Sequence, residues 1–395
     1  GREEGVFFFA EAYDNDPSKV ISHDPALRKN DNVMLILLDA GFDAVYDDPG
    51  YDVLLDLYTR GAWANDLEDV EEQLGPFFFD RAVRYSENHD EIRLAHPDSW
   101  GRQGFHVGRP ITATLFGLSR GPVMIYNGQK VGEPALGCEG FGKDDQRTSI
   151  FDYWSMPELN KWWNNGNADG GGLSMEQSAL RAWYKRLINL QKKPAFTDGN
   201  FFPLNRVNLN NPLYGNFDNL DASGQWLFTY LRNDPLTKDT YLVTSNFHSE
   251  TTIRNVRIIL SNDVVKALDL EEGSHKWILI KDYLGGDDEP SRAISVDEVL
   301  RDGLYIDELQ PLSAGYWEIK IVSDPPKDAV ISKSILLDNN STRFLEGSYL
   351  QDISDINSVK RDQSYELNKE LVSLFSSNQP TESMLLGFAF FIFHL

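Results

Sequence analysis

A single cysteine, Cys138, stands in the 395 residues. An internal disulfide framework is therefore excluded. Neither a Cys/His spacing of the zinc type nor a glycine loop followed by lysine that would cradle a phosphate is present. Basic residues are also scarce, with 37 Lys and Arg against 61 Asp and Glu and a net charge of −24. Such a surface repels polyanions, which excludes nucleic acid and anionic membrane as the main partners and suits a neutral polar substrate. Long apolar runs are missing too. The terminal stretch "MLLGFAFFIFHL" has 12 residues, about half of the ~20 that a spanning helix needs.

What remains is ordinary soluble composition, 41% hydrophobic and 25% charged, long enough for a large domain and a smaller one. Four apolar, β-rich runs recur in the first third, and each ends in polar chemistry. "VFFFAEAYD" leads into Glu11 and Asp14, and "FDAVYDD" into Asp47 and Asp48. "RAVRYSENHD" ends at His89 and Asp90, and "GPVMIYNGQ" at Asn127 and Gln129. The intervals Glu11 to Asp47, Asp47 to Asp90 and Asp90 to Asn127 are 36, 43 and 37 residues. Helix-like stretches such as "DVLLDLYTRG" and "ITATLFGLSRG" lie between them. Strand and helix alternating at this period predict a parallel sheet with covered faces. Polar residues gathered at the C-terminal ends of its strands mark the customary place for a site.

The segment "LSMEQSALRAWYKRLINLQKK" predicts a closing helix. Its apolar stripe holds Leu180, Trp183, Tyr184, Leu187 and Ile188, and Ser174 with Gln177 forms a capping box. After Pro194 the period changes. "QWLFTYLRND", "TYLVTSNFHS", "TTIRNVRIIL", "HKWILIKDYL" and "GYWEIKIV" alternate without a long helix between them. They predict an antiparallel β-sandwich over about residues 200–323. Residues 324–395 carry a linker-like "SDPPKD" and sequons at Asn339 and Asn340, and no fold is assigned to them.

The motifs "FAEAYD", "AGFDAVYDD", "ENHDE" and "GPVMIYNGQ", in this order and with a sandwich behind them, resemble the α-amylase family of glycoside hydrolases. "GFGKDDQRTSIFDYW" adds to the likeness, which covers about residues 1–323. The resemblance implies an α/β fold, a partial (β/α)8 TIM barrel holding strands 5–8 in residues 1–195, followed by the sandwich. It implies that Glu11 is the general acid/base after the fifth strand. Asp90 would be the carboxylate after the seventh, and His89 the histidine beside it that contacts the same sugar. One departure is Lys130, where the family commonly has Glu after the Gln of "YNGQ". Sugars stack on aromatic faces, and Tyr126 and Trp63 are the candidates here. Asp47 and Asp48 are expected at the mouth without a catalytic task, and Glu87 and Glu91 as solvated or structural groups that Arg93 and His96 could pair.

The chemistry requires this much independently. A glycosidic oxygen leaves only when protonated, so a carboxylic acid must be kept protonated near a second carboxylate. An apolar wall from "VFFFA" and Tyr13 is expected to keep Glu11 so. A retaining enzyme also needs a nucleophilic carboxylate. The family carries it in an Arg-x-Asp element on the fourth strand, and neither that element nor the Asn-His element after the third strand is found here. The expectation is that the missing N-terminal half of the barrel completes the site, making this the C-terminal part of a longer protein. The implied partner is an α-glucan such as starch, glycogen or maltooligosaccharide. No cofactor is required for the chemistry, and a structural calcium of the family would be held largely by the absent part. An α-glucan transglycosylase, branching enzyme or sugar isomerase, and a non-catalytic carbohydrate-binding scaffold, are the alternatives.

Overall fold

The computed structural model describes residues 6–12, 33–137, 146–148, 156–215, 224–285 and 290–331. Tyr13, Asp14, Cys138, Trp154, most of the "GFGKDDQRTSIFDYW" motif and the tail from residue 332 lie outside them.

The first four polar-ended runs do come together as parallel neighbours. Strand β1 (Phe9–Ala10) is followed by helix α1 (Val33–Asp39) and β2 (Ala44–Tyr46). Two helices, α2 (Asp48–Thr59) and α3 (Asp66–Phe79), lead to β3 (Ala82–Val83). The order is β1-β2-β3, with Phe9 beside Ala44 and Val45 beside Ala82. The fourth run joins as a single parallel bridge between Arg84 and Val123. Gly121 permits this approach, since a Cβ there would run into the carbonyl of Ala82. Helices cover the sheet because α1 buries Met34, Leu35 and Leu38 against Val45, Phe78 and Ala82. Helix α3 kinks where Gly75, at φ +73°, precedes Pro76, as proline inside a helix requires.

Helix α4 (Gly108–Gly117) buries nine of its ten residues, and this explains why its sequence is apolar on every side. Helices α5 (Pro157–Trp163) and α6 (Met175–Leu190) follow. The predicted capping box of α6 is formed, with Ser174 Oγ accepting from Gln177 N and Gln177 Oε1 accepting from Ser174 N, both at 3.1 Å. Trp183 is buried in the core.

Short helices α7 (Pro194–Thr197) and α8 (Asn205–Asn208) flank β4 (Asn200–Pro203). Then come β5 (Leu227–Asn233), β6 (Thr240–Asn246), β7 (Ile253–Ile258), α9 (Asn262–Ala267) and β8 (Trp277–Asp282). The last elements are β9 (Arg292–Ser295), α10 (Val296–Asp302), β10 (Leu304–Leu309), β11 (Ser313–Val322) and β12 (Val330–Ile331). One sheet has the order β12-β9-β8-β11-β6-β5-β4, antiparallel except for β12 beside β9. A second contains β10 and β7 only. The short helices α9 and α10, each begun by a serine that accepts from a backbone N–H, were not expected from the alternation.

Strand β5 shows why every position of that strand is buried. Leu227 and Leu231 enter the apolar cluster shared with β7 and β10, while Phe228 and Tyr230 enter the cluster of α4 and α6. Side chains alternate across a strand, so a strand with two covered faces has no solvent side. Helix α4 is fastened to this sheet by polar contacts as well. Tyr230 and Tyr316 donate to the carbonyls of Thr114 and Ala113 at 2.9 and 2.6 Å. Arg232, buried on β5, donates to the carbonyls of Leu118, Ala195 and Gly199.

Candidate active site at the strand ends

Glu11 directly follows β1, His89 and Asp90 lie in the segment after β3, and the parallel sheet brings them to one place. One carboxylate or imidazole atom of each lies within 4.8 Å of the others. His89 Nε2 is 3.2 Å from Asp90 Oδ2. The turn that presents Asp90 is built by Asn88, whose Oδ1 accepts from Asp90 N and Glu91 N, both at 2.8 Å. An Asn side chain can close such a turn by replacing a backbone acceptor.

The charges in the group are set by one another. The hydrogen bond from His89, its charge, a hydrogen bond with Glu11 and the nearby Arg147 hold the Asp90 carboxyl below its usual range. The same bond to Asp90 raises His89, against burial and the repulsion of Arg147. Tyr46, buried beneath them, has its hydroxyl raised by burial and then by the charges of Glu11 and Asp90.

Arg147 stands inside the motif "GFGKDDQRTSIFDYW" but was given no role there, and it lies 57 residues from Asp90. The fold brings its Nη1 to the Asp90 carbonyl at 3.1 Å.

Several expected placements change. Among the described residues no apolar wall encloses Glu11: Phe7 and Phe8 are 58% and 51% exposed, Glu11 itself is exposed, and Tyr13 lies outside the described residues. Phe9 is exposed as well, although its ring lies 4.4 Å from that of Tyr46. A strand of two residues buries one side of itself, here Ala10, and has too little length to wall off a pocket. Asp47 does not line the mouth. It is fully buried, caps α2 through Gly50 N, and is 2.6 Å from Arg84 Nη1, which also meets Glu71 at 2.8 Å. Glu87 is buried as well and not solvated, paired with Arg93 at 2.6 Å and accepting from Leu94 N. His96 pairs with neither glutamate; its Nδ1 accepts from Asp98 N.

Tyr126 reaches the group's surroundings, donating to the carbonyl of Thr148 at 2.6 Å with the Arg93 guanidinium 4.4 Å over its ring. One face of the ring is thus covered. Trp63 lies elsewhere. It follows the far end of α2, whose 12 residues span about 18 Å, and the adjoining Ala64 and Asn65 donate to Gln225 and Gly224.

Asp48 stands half-buried near Asp52, Glu91 and Asp47. Burial and then these charges raise its carboxyl to about 7. A folded-state value above the unfolded one means that stability falls as pH rises from about 4 to 7 and stays reduced above. Asp48→Asn is expected to match the parent's stability at pH 4 and exceed it at pH 8, by roughly 1–2 kcal/mol after solvent screening. Urea midpoints at the two pH values check this, and equal midpoints at pH 8 would refute it.

No family model matches the chain, and no curated protein matches it. Among solved structures it is similar to an α-amylase from Geobacillus thermoleovorans complexed with acarbose, with a TM-score of 0.46 and 17% identity over 80% of this chain and 53% of that one. A maltogenic α-amylase, AmyB from Thermotoga neapolitana, gives 0.46 and 15% over 79% and 54%. The cyclomaltodextrin glucanotransferase CldA gives 0.44 and 20% over 80% and 50%. The solved structures that this chain resembles are thus α-amylase family enzymes, and it spans about half of their length.

Proposed function

We propose that the chain carries part of the active site of a retaining glycoside hydrolase that acts on α-glucans. Its parallel strands would be the fifth to eighth of a (β/α)8 barrel, and its two later sheets the accompanying β-sandwich. The observation that supports this most is the convergence of Glu11, His89 and Asp90, with one carboxylate or imidazole atom of each within 4.8 Å of the others. Glu11 would deliver its proton to the leaving glycosidic oxygen, and the ionised Asp90 with His89 would hold hydroxyls of the sugar at the cleaved bond. That grip accelerates the reaction to the extent that it tightens as the ring flattens toward the oxocarbenium-like transition state. Tyr126 would border the site, while Trp63 has no part in it. The nucleophilic carboxylate would come from barrel strands whose motifs this sequence does not contain, so activity would belong to the completed barrel.

The test is a proton NMR time course with maltoheptaose and the protein that holds this chain in a completed barrel. Release of reducing ends of retained α configuration supports the reading. Inverted β products or no consumption would refute it, and longer or rearranged chains without net hydrolysis would favour a transglycosylase. In that protein Asp90→Asn is expected to lower turnover at least about 100-fold, with KM changed less, because its contact strengthens in the transition state.

A further inference from the structure

The same three side chains have a second chemistry. Two carboxylates and one imidazole, facing one another and open to solvent, are a ligand set for a divalent transition ion. The spacing fits. Ligand atoms at ~2.0–2.2 Å around a tetrahedral zinc lie about 3.3–3.5 Å apart. His89 Nε2 and Asp90 Oδ2 are 3.2 Å apart already, so an ion could be chelated there without moving the backbone. Glu11 is within 4.8 Å and exposed, and a side-chain rotation would close the third contact. The turn made by Asn88 and the bond from Arg147 to the Asp90 carbonyl hold two of the three ligands in place beforehand.

We propose that Glu11, His89 and Asp90 form a binding site for a zinc-like divalent cation that competes with the sugar. The imidazole favours zinc, cobalt or copper over magnesium and calcium, which prefer all-oxygen shells of six or more ligands. Binding requires His89 neutral, so the ion displaces the proton that joins His89 to Asp90. The positive charge of Arg147 opposes the ion, whereas Glu91, next in the chain, favours it. Water completes the coordination, and a carbohydrate hydroxyl cannot reach Asp90 while the ion is there. The competition with sugar rests on the function proposed above, but the ion binding does not.

Isothermal titration with Zn2+ alone, in a non-chelating buffer at pH 7.5, reads the binding directly, and Co2+ alone supplies a visible spectrum. One high-affinity ion per chain is expected, with an intense tetrahedral cobalt band. His89→Gln, Asp90→Asn and Glu11→Gln should each weaken it about tenfold or more, whereas His275→Gln should not. Circular dichroism of each variant checks that the fold is retained. Absence of binding, or binding unchanged in His89→Gln, would overturn the site. If zinc binds as expected but maltoheptaose is never cleaved, the cation site stands and the glycosidase reading falls. Cleavage that zinc does not inhibit, with zinc bound, overturns the competition.

Discussion

Glu11→Gln is expected to lower the cleavage of ordinary α-glucans by about 10²–10⁴-fold, the usual contribution of a positioned general acid. The amide keeps the shape of the side chain but has no acidic proton to give. An alkoxide is a poor leaving group at neutral pH, so unactivated glucosidic bonds should feel the full loss. Substrates that leave without protonation, such as α-glucosyl fluoride, should lose much less. This contrast separates an acid from a group that merely shapes the site. Melting temperature should not change, because Glu11 is exposed. The measurement is kcat/KM for both substrate types in the completed barrel. An equal loss on both would remove Glu11 from the role of acid.

The largest effect on stability is expected at Arg84. It is fully buried and donates to Asp47 at 2.6 Å, Glu71 at 2.8 Å, the Phe79 carbonyl at 3.1 Å and Ser119 Oγ at 3.3 Å. Burial raises Glu71 to about 7 and raises Asp47 also, with Arg84 opposing both shifts. Removing the guanidinium leaves two carboxylates facing each other in the interior. Breaking a buried pair in this way costs about 3–5 kcal/mol, so Arg84→Met is expected to lose that much at pH 8 in urea unfolding. The penalty should shrink at pH 5. Protons then neutralise the stranded carboxylates, and the folded state, with its raised values, binds more of them than the unfolded one. The triple variant with Asp47→Asn and Glu71→Gln should recover part of the loss. A cost below about 1 kcal/mol at pH 8 would mean that water reaches the pair.

These residues show where a sequence misleads. Asp47 and Asp90 both end an apolar run, and the run alone does not say which of them meets solvent. One is sealed against an arginine 37 residues away, and the other stands open beside His89. The aromatic run before Glu11 resembled a pocket wall because apolar residues are usually inside. Whether they are depends on what packs over them, and the short β1 leaves Phe7 and Phe8 outward. The contact of Arg147, which stands in a quoted motif, was not legible because it is defined by where Asp90 arrives.

Local chemistry was legible throughout. The residue pattern located the parallel runs and their order, the capping box of α6 and the switch to alternating strands after Pro194, while the resemblance alone grouped Glu11, His89 and Asp90. The former depend on nearest neighbours along the chain, on residue period or on capping hydrogen bonds. The short helices α9 and α10, the burial of both faces of β5, the Arg84 ion pairs, and the position of Trp63 beyond the far end of α2 were settled only by tertiary structure. All of them turn on whether water reaches a group, and that depends on residues tens of positions away in the chain.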